Sequence, residues 1–425
     1  MFYKETEFQD KPIGKITKGW EIQELSDFVE IETGKRAKGG GLSEGTVASI
    51  GGEHIDGQGN ILWSDMKYIP EDFYNLLKQG RVHLGDILLV KDGATTGKVA
   101  IAEYLKYEKV AVNEHVFLIR SKTERLSNKF LFHFLFSKFG QRQIRTRFHG
   151  LIGGIIRSDL EIVLVPIPSI FEQRVVVGVL GVVDSTIGLV DRVIWKTERL
   201  KKGLMQTLLT KGIGHKEYKD TPIGKTPKTW QTVKLGEVLE LCQYGLSVKL
   251  GDKGKYRILK MDDIVNGVAV PNNAKYVDLD EATFNNFRLE KRDILFNRTN
   301  SYELVGRTGI FLLDGDYTFA SYLIRLRPKN EIVDSQFLTY YMVFSNNRLR
   351  QLATRAVHQA NINATNLQSY TVPLPPLSEQ KQIEEILVTL DKKLELERKE
   401  KMRLEKVKRG LMDLLLTGKV RVKVD

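Results

Sequence analysis

Asp92-Gly-Ala-Thr-Thr-Gly-Lys98 is the stretch closest in type to a phosphate-handling loop. Such a loop wraps backbone amides around phosphates and needs Ser or Thr after its lysine to hold magnesium. Here Gly93 and Gly97 stand one residue too close, and Val99 follows the lysine. The stretch therefore reads as a connection between two strands, able at most to touch a backbone phosphate. The acidic groups Asp262-Asp263 and Asp278-Leu-Asp-Glu281 have the chemistry to hold a cation, but without a nearby Glu-x-Lys they read as surface turns. His133 has no second ligand at metal spacing, so no metal site is expected. The single cysteine, Cys242, cannot form an internal disulfide and lacks a nucleophile signature; it reads as a small core residue in a reducing cytosol. No Gly-rich cofactor fingerprint, no Asn-Pro-Pro-Tyr type methyl-transfer motif and no Ser/His/Asp spacing is present. The pattern points to recognition without catalysis.

The residues able to recognise something are basic. A net charge of +12 favours an anionic partner, nucleic acid before membrane. Gly34-Lys-Arg-Ala-Lys-Gly-Gly-Gly41 is a basic, glycine-rich loop. Residues 125 to 158 hold seven Lys or Arg and no acid, with Arg145 and Arg147 in the densest part. Residues 335 to 378 also hold no acid, and carry Arg348, Arg350, Arg355 and His358 before Gln359-Ala-Asn-Ile-Asn363. A charge run is ordinarily a solvated face; the absence of counter-charge in both places raises the case for phosphate contact. The longest apolar run, Val175 to Val183, is too short to span a bilayer, and the polar start Met1-Phe-Tyr-Lys-Glu-Thr-Glu is no signal peptide.

The elements that must position these residues occur twice. Glu7-Phe-Gln-Asp-Lys-Pro-Ile-Gly-Lys15 followed by Trp20 matches Glu217-Tyr-Lys-Asp-Thr-Pro-Ile-Gly-Lys225 followed by Trp230, and both tryptophans read as core anchors. Short strand-like pieces follow at Val47 to Ile50 and Ile61 to Trp63. Gly85-Asp-Ile-Leu-Leu-Val90 is a buried strand by pattern, with Arg292-Asp-Ile-Leu-Phe-Asn297 as its counterpart. Further strands are expected near Val99 and Thr308, at Val116 to Arg120 and at Leu323 to Arg327, before the aromatic helices at Phe130-Leu-Phe-His-Phe-Leu-Phe136 and Phe337-Leu-Thr-Tyr-Tyr-Met-Val343.

Each block closes on a proline motif and a long helix. Pro166-Ile-Pro-Ser-Ile-Phe-Glu-Gln173 and Pro373-Leu-Pro-Pro-Leu-Ser-Glu-Gln380 mark where a sheet segment stops, and Ser378 is placed to cap the second helix. A heptad stripe runs Val176, Leu180, Val183, Ile187, Val190, Ile194 in one copy and Ile383, Leu387, Leu390, Leu394 in the other. A seam of that width wants one partner helix, and the obvious partner is the other copy, paired antiparallel. Glu172 to Leu208 is 37 residues, about 55 Å of helix. The expected fold is α+β: two mixed α/β domains separated by two long antiparallel coiled-coil helices, a pseudo-two-fold tandem repeat that holds the domains at opposite ends.

With those residues in view, the chain resembles the DNA-specificity subunit of type I restriction–modification enzymes. The resemblance rests on Pro-Leu-Pro-Pro-Leu-Ser-Glu-Gln before a long helix, preceded by His358-Gln-Ala-Asn-Ile-Asn-Ala-Thr-Asn-Leu367, and on the duplicated Trp, Asp-Ile-Leu, Pro-x-Pro, Glu-Gln order. It implies target-recognition domains at 1–167 and 215–374 and spacer helices at 168–214 and 375–425. It implies a non-catalytic reader of double-stranded DNA with a bipartite, asymmetric target. Two methyltransferase (modification) subunits would dock on it, with restriction subunits that translocate and cut. S-adenosylmethionine, ATP and magnesium would belong to those partners, with no cofactor in this chain. The rival classes are a stand-alone methyltransferase or nuclease, and a structural coiled-coil protein. The candidate DNA contacts are Lys35, Arg36 and Lys38; Lys91, Thr95 and Thr96; Arg145 and Arg147; and Arg298, Thr299, Asn300, Tyr302, Arg355, His358 and Gln359. One departure stands out: His149-Gly-Leu-Ile-Gly-Gly-Ile-Ile156 lacks the amide side chains of His358-Gln-Ala-Asn-Ile-Asn363.

Overall fold

The computed structural model describes residues 2–150, 153–355 and 359–423, with only the backbone of Arg355. The chain divides into two compact units: residues 1–191 with 399–425, and residues 192–398.

The first unit is built on a four-stranded antiparallel sheet in the order Val29–Thr33, Val116–Ser121, Ile87–Val90, Val99–Ile101. Strand periodicity decides its two faces. Ile87, Leu89, Phe117 and Ile119 join the aromatic helix Asn128–Phe136 in one core, with Val176, Leu180, Met412, Leu415 and Leu416 from the long helices. Leu88, Val90, Val116 and Leu118 face the other way, onto Ala48, Ile50 and Trp63. A sheet covered on both faces reads as an unbroken apolar run, which is why Ile-Leu-Leu-Val stands out in the sequence. The expected strand at Ile61 to Trp63 is absent. Asp56 accepts from the Gln58 and Asn60 amides at 2.8 Å, closing a turn that leaves Ile61 only an isolated bridge to Ile55.

The second unit repeats the plan with six strands: Leu239–Tyr244, Leu323–Pro328, Ile294–Asn297, Thr308–Phe311, Val268–Ala269, Ile264–Val265. The aspartate of each Asp-Ile-Leu motif is structural. Asp86, 1% exposed, takes Nε and Nη2 of Arg120 from the neighbouring strand, both at 2.7 Å. Asp293 takes Nε and Nη2 of Arg327 at 2.8 and 2.9 Å. Those bonds push both guanidinium groups further up. Bidentate pairs of this kind fix strand register as well as charge.

The acidic groups also turn out to be structural. Asp263 is buried, not in a surface turn, and its carboxylate accepts from the Lys260 and Asn272 amides, both at 2.7 Å. Asp280 caps the helix Glu281–Phe287 through the Thr283 amide. Cys242 is half-buried against the second core, and burial raises its thiol pKa.

The long helices run Ile170–Lys211 and Leu377–Leu415. Within the first unit Asp184 meets Lys408 at 2.5 Å and Asp191 meets Lys401 at 2.6 Å. Within the second, Glu198 meets Arg398 at 2.6 Å and Asp391 binds Lys201. As one index rises the other falls, so the helices pair antiparallel in each unit, as their heptads predict. Ser378 lies inside the first turn of its helix and caps nothing; Ser169 Oγ takes that role in the first copy, accepting from the Glu172 amide. Pro166 and Pro373 lie within short two-stranded pairings, Leu164–Ile167 with Glu21–Glu24 and Thr371–Leu374 with Gln231–Lys234, where a missing N–H is tolerated.

The Glu-Gln dipeptide docks each helix on its unit. Glu172 accepts from Trp20 Nε1 at 3.0 Å, and Glu379 from Trp230 Nε1 at 2.9 Å. Gln173 Oε1 accepts from the Ser127 amide while its Nε2 donates to the Arg125 and Pro168 carbonyls. Gln380 repeats this with the Asp334 amide and the Ile332 and Pro375 carbonyls.

His133 is 5% exposed; burial, with the charges of Lys408 and Lys129, pushes its imidazole down to about 3 from 6.5. The unfolded chain therefore binds a proton that the fold refuses. Stability present above pH 6.5 is expected to fall as the pH drops toward 3, by up to about 1.4 kcal/mol per unit from this residue. Urea titrations at pH 7, 6 and 5 check this, and a His133→Gln chain should lose that part of the slope.

Candidate nucleic-acid interface

Thr33, Val90 and Val116 share one end of the first sheet, and Tyr244, Asn297 and Leu323 share the same end of the second. Three loops leave each end. Gly34 and Gly245 open the first of them, and each passes a neighbouring backbone so closely that no side chain fits. A Cβ on Gly34 would lie 2.0 Å from the Val112 carbonyl oxygen, and one on Gly245 would lie 2.3 Å from that of Ala320. Gly245→Ala is expected to displace its loop and cost about 1–3 kcal/mol, read as a lowered melting temperature.

The loops are tied together in the same way in both units. The Lys91 amide donates to the His115 carbonyl at 2.9 Å, and the Arg298 amide to that of Tyr322 at 3.0 Å. The Ile155 amide donates to the Lys91 carbonyl, and the Ile362 amide to that of Arg298, both at 2.8 Å. Lys91 and Arg298 are thus equivalent, as are His115 and Tyr322. The framework is shared and the presented side chains are not.

In the first unit the side chains form a mixed-charge string. Arg36 Nε lies 3.6 Å from Glu114, which lies 3.4 Å from His115 Nε2. His115 Nδ1 lies 2.5 Å from Asp92, whose other oxygen is 4.0 Å from Lys91 Nζ. His149 Nε2 pairs with Asp159 at 2.9 Å. Lys35 and Lys38 are exposed on the loop that Gly34 opens. Thr95 and Thr96 turn inward: their hydroxyls donate to the Gly52 and Gly93 carbonyls. With Lys98 Nζ on the Ile55 carbonyl, this loop is filled by the protein's own bonds, so it has no nucleotide-cradling shape. Arg147 Nη1 donates to the Gln143 carbonyl at 2.7 Å, and Arg145, two residues before it, is exposed beside the packing of Ile144 and Phe148 on Gly97.

In the second unit Arg298 is held in place. Its Nη1 donates to the Ser321 carbonyl at 3.2 Å, its Nη2 faces Asn361 Oδ1 at 3.5 Å, and the guanidinium sits 4.9 Å over the Tyr244 ring. Asn361 Nδ2 donates to Thr299 Oγ1 at 3.0 Å, so the buried Thr299 supports rather than presents. Asn300 contacts Met261 Sδ, and Tyr302 leans on the core. Gln359 is exposed, and Arg355 pairs through its backbone with Ala360. His358 lies outside the described residues. Tyr244 and Tyr322 are 42% and 47% exposed beside Arg298.

The candidate contacts read from the sequence leave out Tyr244, Tyr322 and His115, and also Asn361 and His149, although these last two stand in the loop segments compared between the repeats. The constant offset that pairs Lys91 with Arg298 also pairs His115 with Tyr322, and following it through the loops would have found both.

The arrangement suits base-edge and phosphate contact by a cluster of loops on a rigid sheet. Among the described residues no group of three His, Cys, Asp or Glu is placed to hold a metal ion, and no helix is long and apolar enough to cross a membrane.

Comparison with known proteins gives one answer from three directions. The family model for the type I restriction modification DNA specificity domain matches residues 17–196 and again 227–406. A putative type I restriction enzyme MjaX specificity subunit from Methanocaldococcus jannaschii is 28% identical over 100% of this chain and 99% of its own length. The MjaVIII specificity subunit of the same organism is 29% identical over 100% and 98%. A solved chain described under complex assembly and conformational transition of the type I R-M system is similar with a TM-score of 0.58 and 18% identity, over 95% of this chain and 99% of that one. The S subunit from M. genitalium gives 0.56 and 15%, over 96% and 97%.

Proposed function

We propose, from the premise that this chain belongs to the family of type I restriction–modification DNA specificity subunits, that it reads a bipartite, asymmetric duplex target with one recognition domain per half. The chain is a DNA-recognition subunit and not itself an enzyme, as its family and its similar proteins are. The observation that carries the bipartite reading is the shared framework with unlike side chains. Lys91 with His115 in one unit, and Arg298 with Tyr322 in the other, occupy equivalent backbone positions. Two readers built alike but armed differently specify two different half-sites.

The reading assigns recognition to residues 1–167 and 215–374, and spacing to 168–214 and 375–425. Lys35, Arg36, Lys38, Lys91, Arg145 and Arg147 serve the first half-site, and Arg298, Arg355, His358 and Gln359 the second. Thr95, Thr96, Thr299, Asn300 and Tyr302 shape the loops from within. Two modification subunits dock on the paired helices and bring S-adenosylmethionine to the target adenine. Restriction subunits bring ATP and magnesium, and the complex works in the cytoplasm.

The test is duplex binding by the chain with its modification subunits across a salt series. Specific binding that weakens steeply with salt, with no turnover by the lone chain given S-adenosylmethionine and magnesium, is the expected result. Methylation or cleavage by the lone chain would overturn it.

A further inference from the structure

The two loop clusters share a backbone, so their side chains can be matched place by place. The Ile155 amide on the Lys91 carbonyl repeats the Ile362 amide on that of Arg298, which sets Gly154 against Asn361 and Asp92 against Thr299, each 207 positions apart. In the second unit Asn361 covers Thr299: its Nδ2 donates to Thr299 Oγ1 at 3.0 Å, and Thr299 is buried. In the first unit both members are exchanged. The hydroxyl becomes a carboxylate and the covering amide becomes a glycine. A Cβ built on Gly154 would lie 3.8 Å from that of Asp92, so a side chain there would pack against it. With glycine in place the Asp92 side chain stays 38% exposed.

The carboxylate is held without being used up. Its Oδ1 lies 2.5 Å from His115 Nδ1. Its Oδ2 has Lys91 Nζ at 4.0 Å and no hydrogen bond among the described residues. A carboxylate has room for several donors, so Oδ2 is an open acceptor. The backbone beneath it is fixed from two sides, by the Lys91 amide on the His115 carbonyl and by the Ile155 amide on the Lys91 carbonyl. An acceptor aimed by a histidine in the first unit thus stands beside the place where the second unit has Arg298, a donor aimed by Ser321 and Asn361.

An acid on a surface that approaches phosphates costs affinity by repulsion. A free carboxylate oxygen offsets that cost where it accepts from a base. In the major groove adenine N6 and cytosine N4 carry the amino hydrogens, whereas guanine O6 and thymine O4 are acceptors and repel a carboxylate. The acid therefore turns a loss of affinity into discrimination between amino and carbonyl groups at one place in the groove.

We infer that Asp92 is a specificity-determining residue of the first half-site, accepting through Oδ2 from the exocyclic amino group of adenine or cytosine, with His115 as the positioning residue that aims it. The inference rests on the DNA reading proposed above. Its consequence is that the two units read with opposite polarity, an acceptor at Asp92 and donors at Arg298. The glycine at position 154, where the second repeat has Asn361, is what leaves that acceptor uncovered.

The experiment measures duplex binding by the full chain with its modification subunits, first on duplexes randomised across the first half-site and then on the selected duplex with single amino groups deleted (purine for adenine, 2-pyrimidinone for cytosine). At one position the deletion should weaken wild-type binding by about tenfold or more, and the analogue that does so tells adenine from cytosine. Asp92→Ala should be indifferent to that same deletion. Asp92→Asn keeps the shape and adds an amide donor, so it should newly accept guanine or thymine at that position. His115→Ala should blur the same position and no other. Affinity for unrelated duplex should rise in both Asp92 variants, because an acid is gone, and the second half-site should be read as before. Asp92 variants that keep every base preference and every response to amino deletion, or that bind more weakly throughout with preferences intact, overturn the assignment. A wild-type chain with no base preference in the first half overturns the DNA reading beneath it.

Discussion

A Glu172→Ala chain is expected to lose about 3–5 kcal/mol of stability in its first unit, because the change strands two buried donors and removes the main partner of a partly buried guanidinium. Glu172 is 1% exposed and accepts from Trp20 Nε1 at 3.0 Å, from Arg421 Nη2 and Nε at 3.1 and 3.2 Å, and from the Val422 amide at 3.3 Å. One carboxylate thus joins the start of the first repeat, the start of its helix and the tail of the other helix. Alanine leaves the buried indole N–H and the Val422 amide unpaired and the partly buried Arg421 guanidinium with only Glu5, 3.4 Å from its Nη1. Glu379→Ala should act alike in the second unit, where that carboxylate takes the Ile213 amide at 2.9 Å, His215 Nε2 at 2.8 Å and Trp230 Nε1 at 2.9 Å. Urea unfolding followed by tryptophan fluorescence reads both effects. Glutamine at either position keeps an acceptor for the indole and should recover part of the loss. A loss under about 1 kcal/mol, the range of an exposed pair, would contradict the buried-clamp account.

Arg298→Ala should erase base discrimination at one position of the second half-site, worth about 1–3 kcal/mol, and leave the first half-site untouched. Arg298 is the cationic group here whose guanidinium is oriented in advance, by Ser321, Asn361 and Tyr244. Orientation before contact is what gives a bidentate donor its selectivity. Arg145→Ala should behave differently. Its exposed side chain fits a phosphate contact, so affinity should fall evenly across sequences and the salt dependence should soften. Binding to duplexes randomised in one half at a time separates the two outcomes.

Much of the architecture was legible because it is written twice. A buried Asp-Ile-Leu strand, a heptad helix and a Glu-Gln at its start leave local signatures, and repetition turns weak motifs into a fold. What those signatures do was less legible. Glu172 and Gln173 read as a helix start, and their bonds to Trp20 and Ser127 depend on chain brought from 152 and 46 residues away. Asp263 read as a surface turn because its backbone donors lie in a loop that only the fold closes. Thr299 and Thr95 read as contacts because hydroxyls beside basic residues look presented, yet both are turned inward. Side-chain direction in a loop is set by tertiary neighbours, which composition does not encode.

The most direct test maps methylated bases in the host genome, once with the natural chain and once with residues 215–374 exchanged for those of another specificity subunit. The account predicts two short, unlike sequence elements at a fixed separation with unread bases between them, and a change confined to one element after the exchange. A single uninterrupted recognition sequence, or both elements changing together, would contradict it.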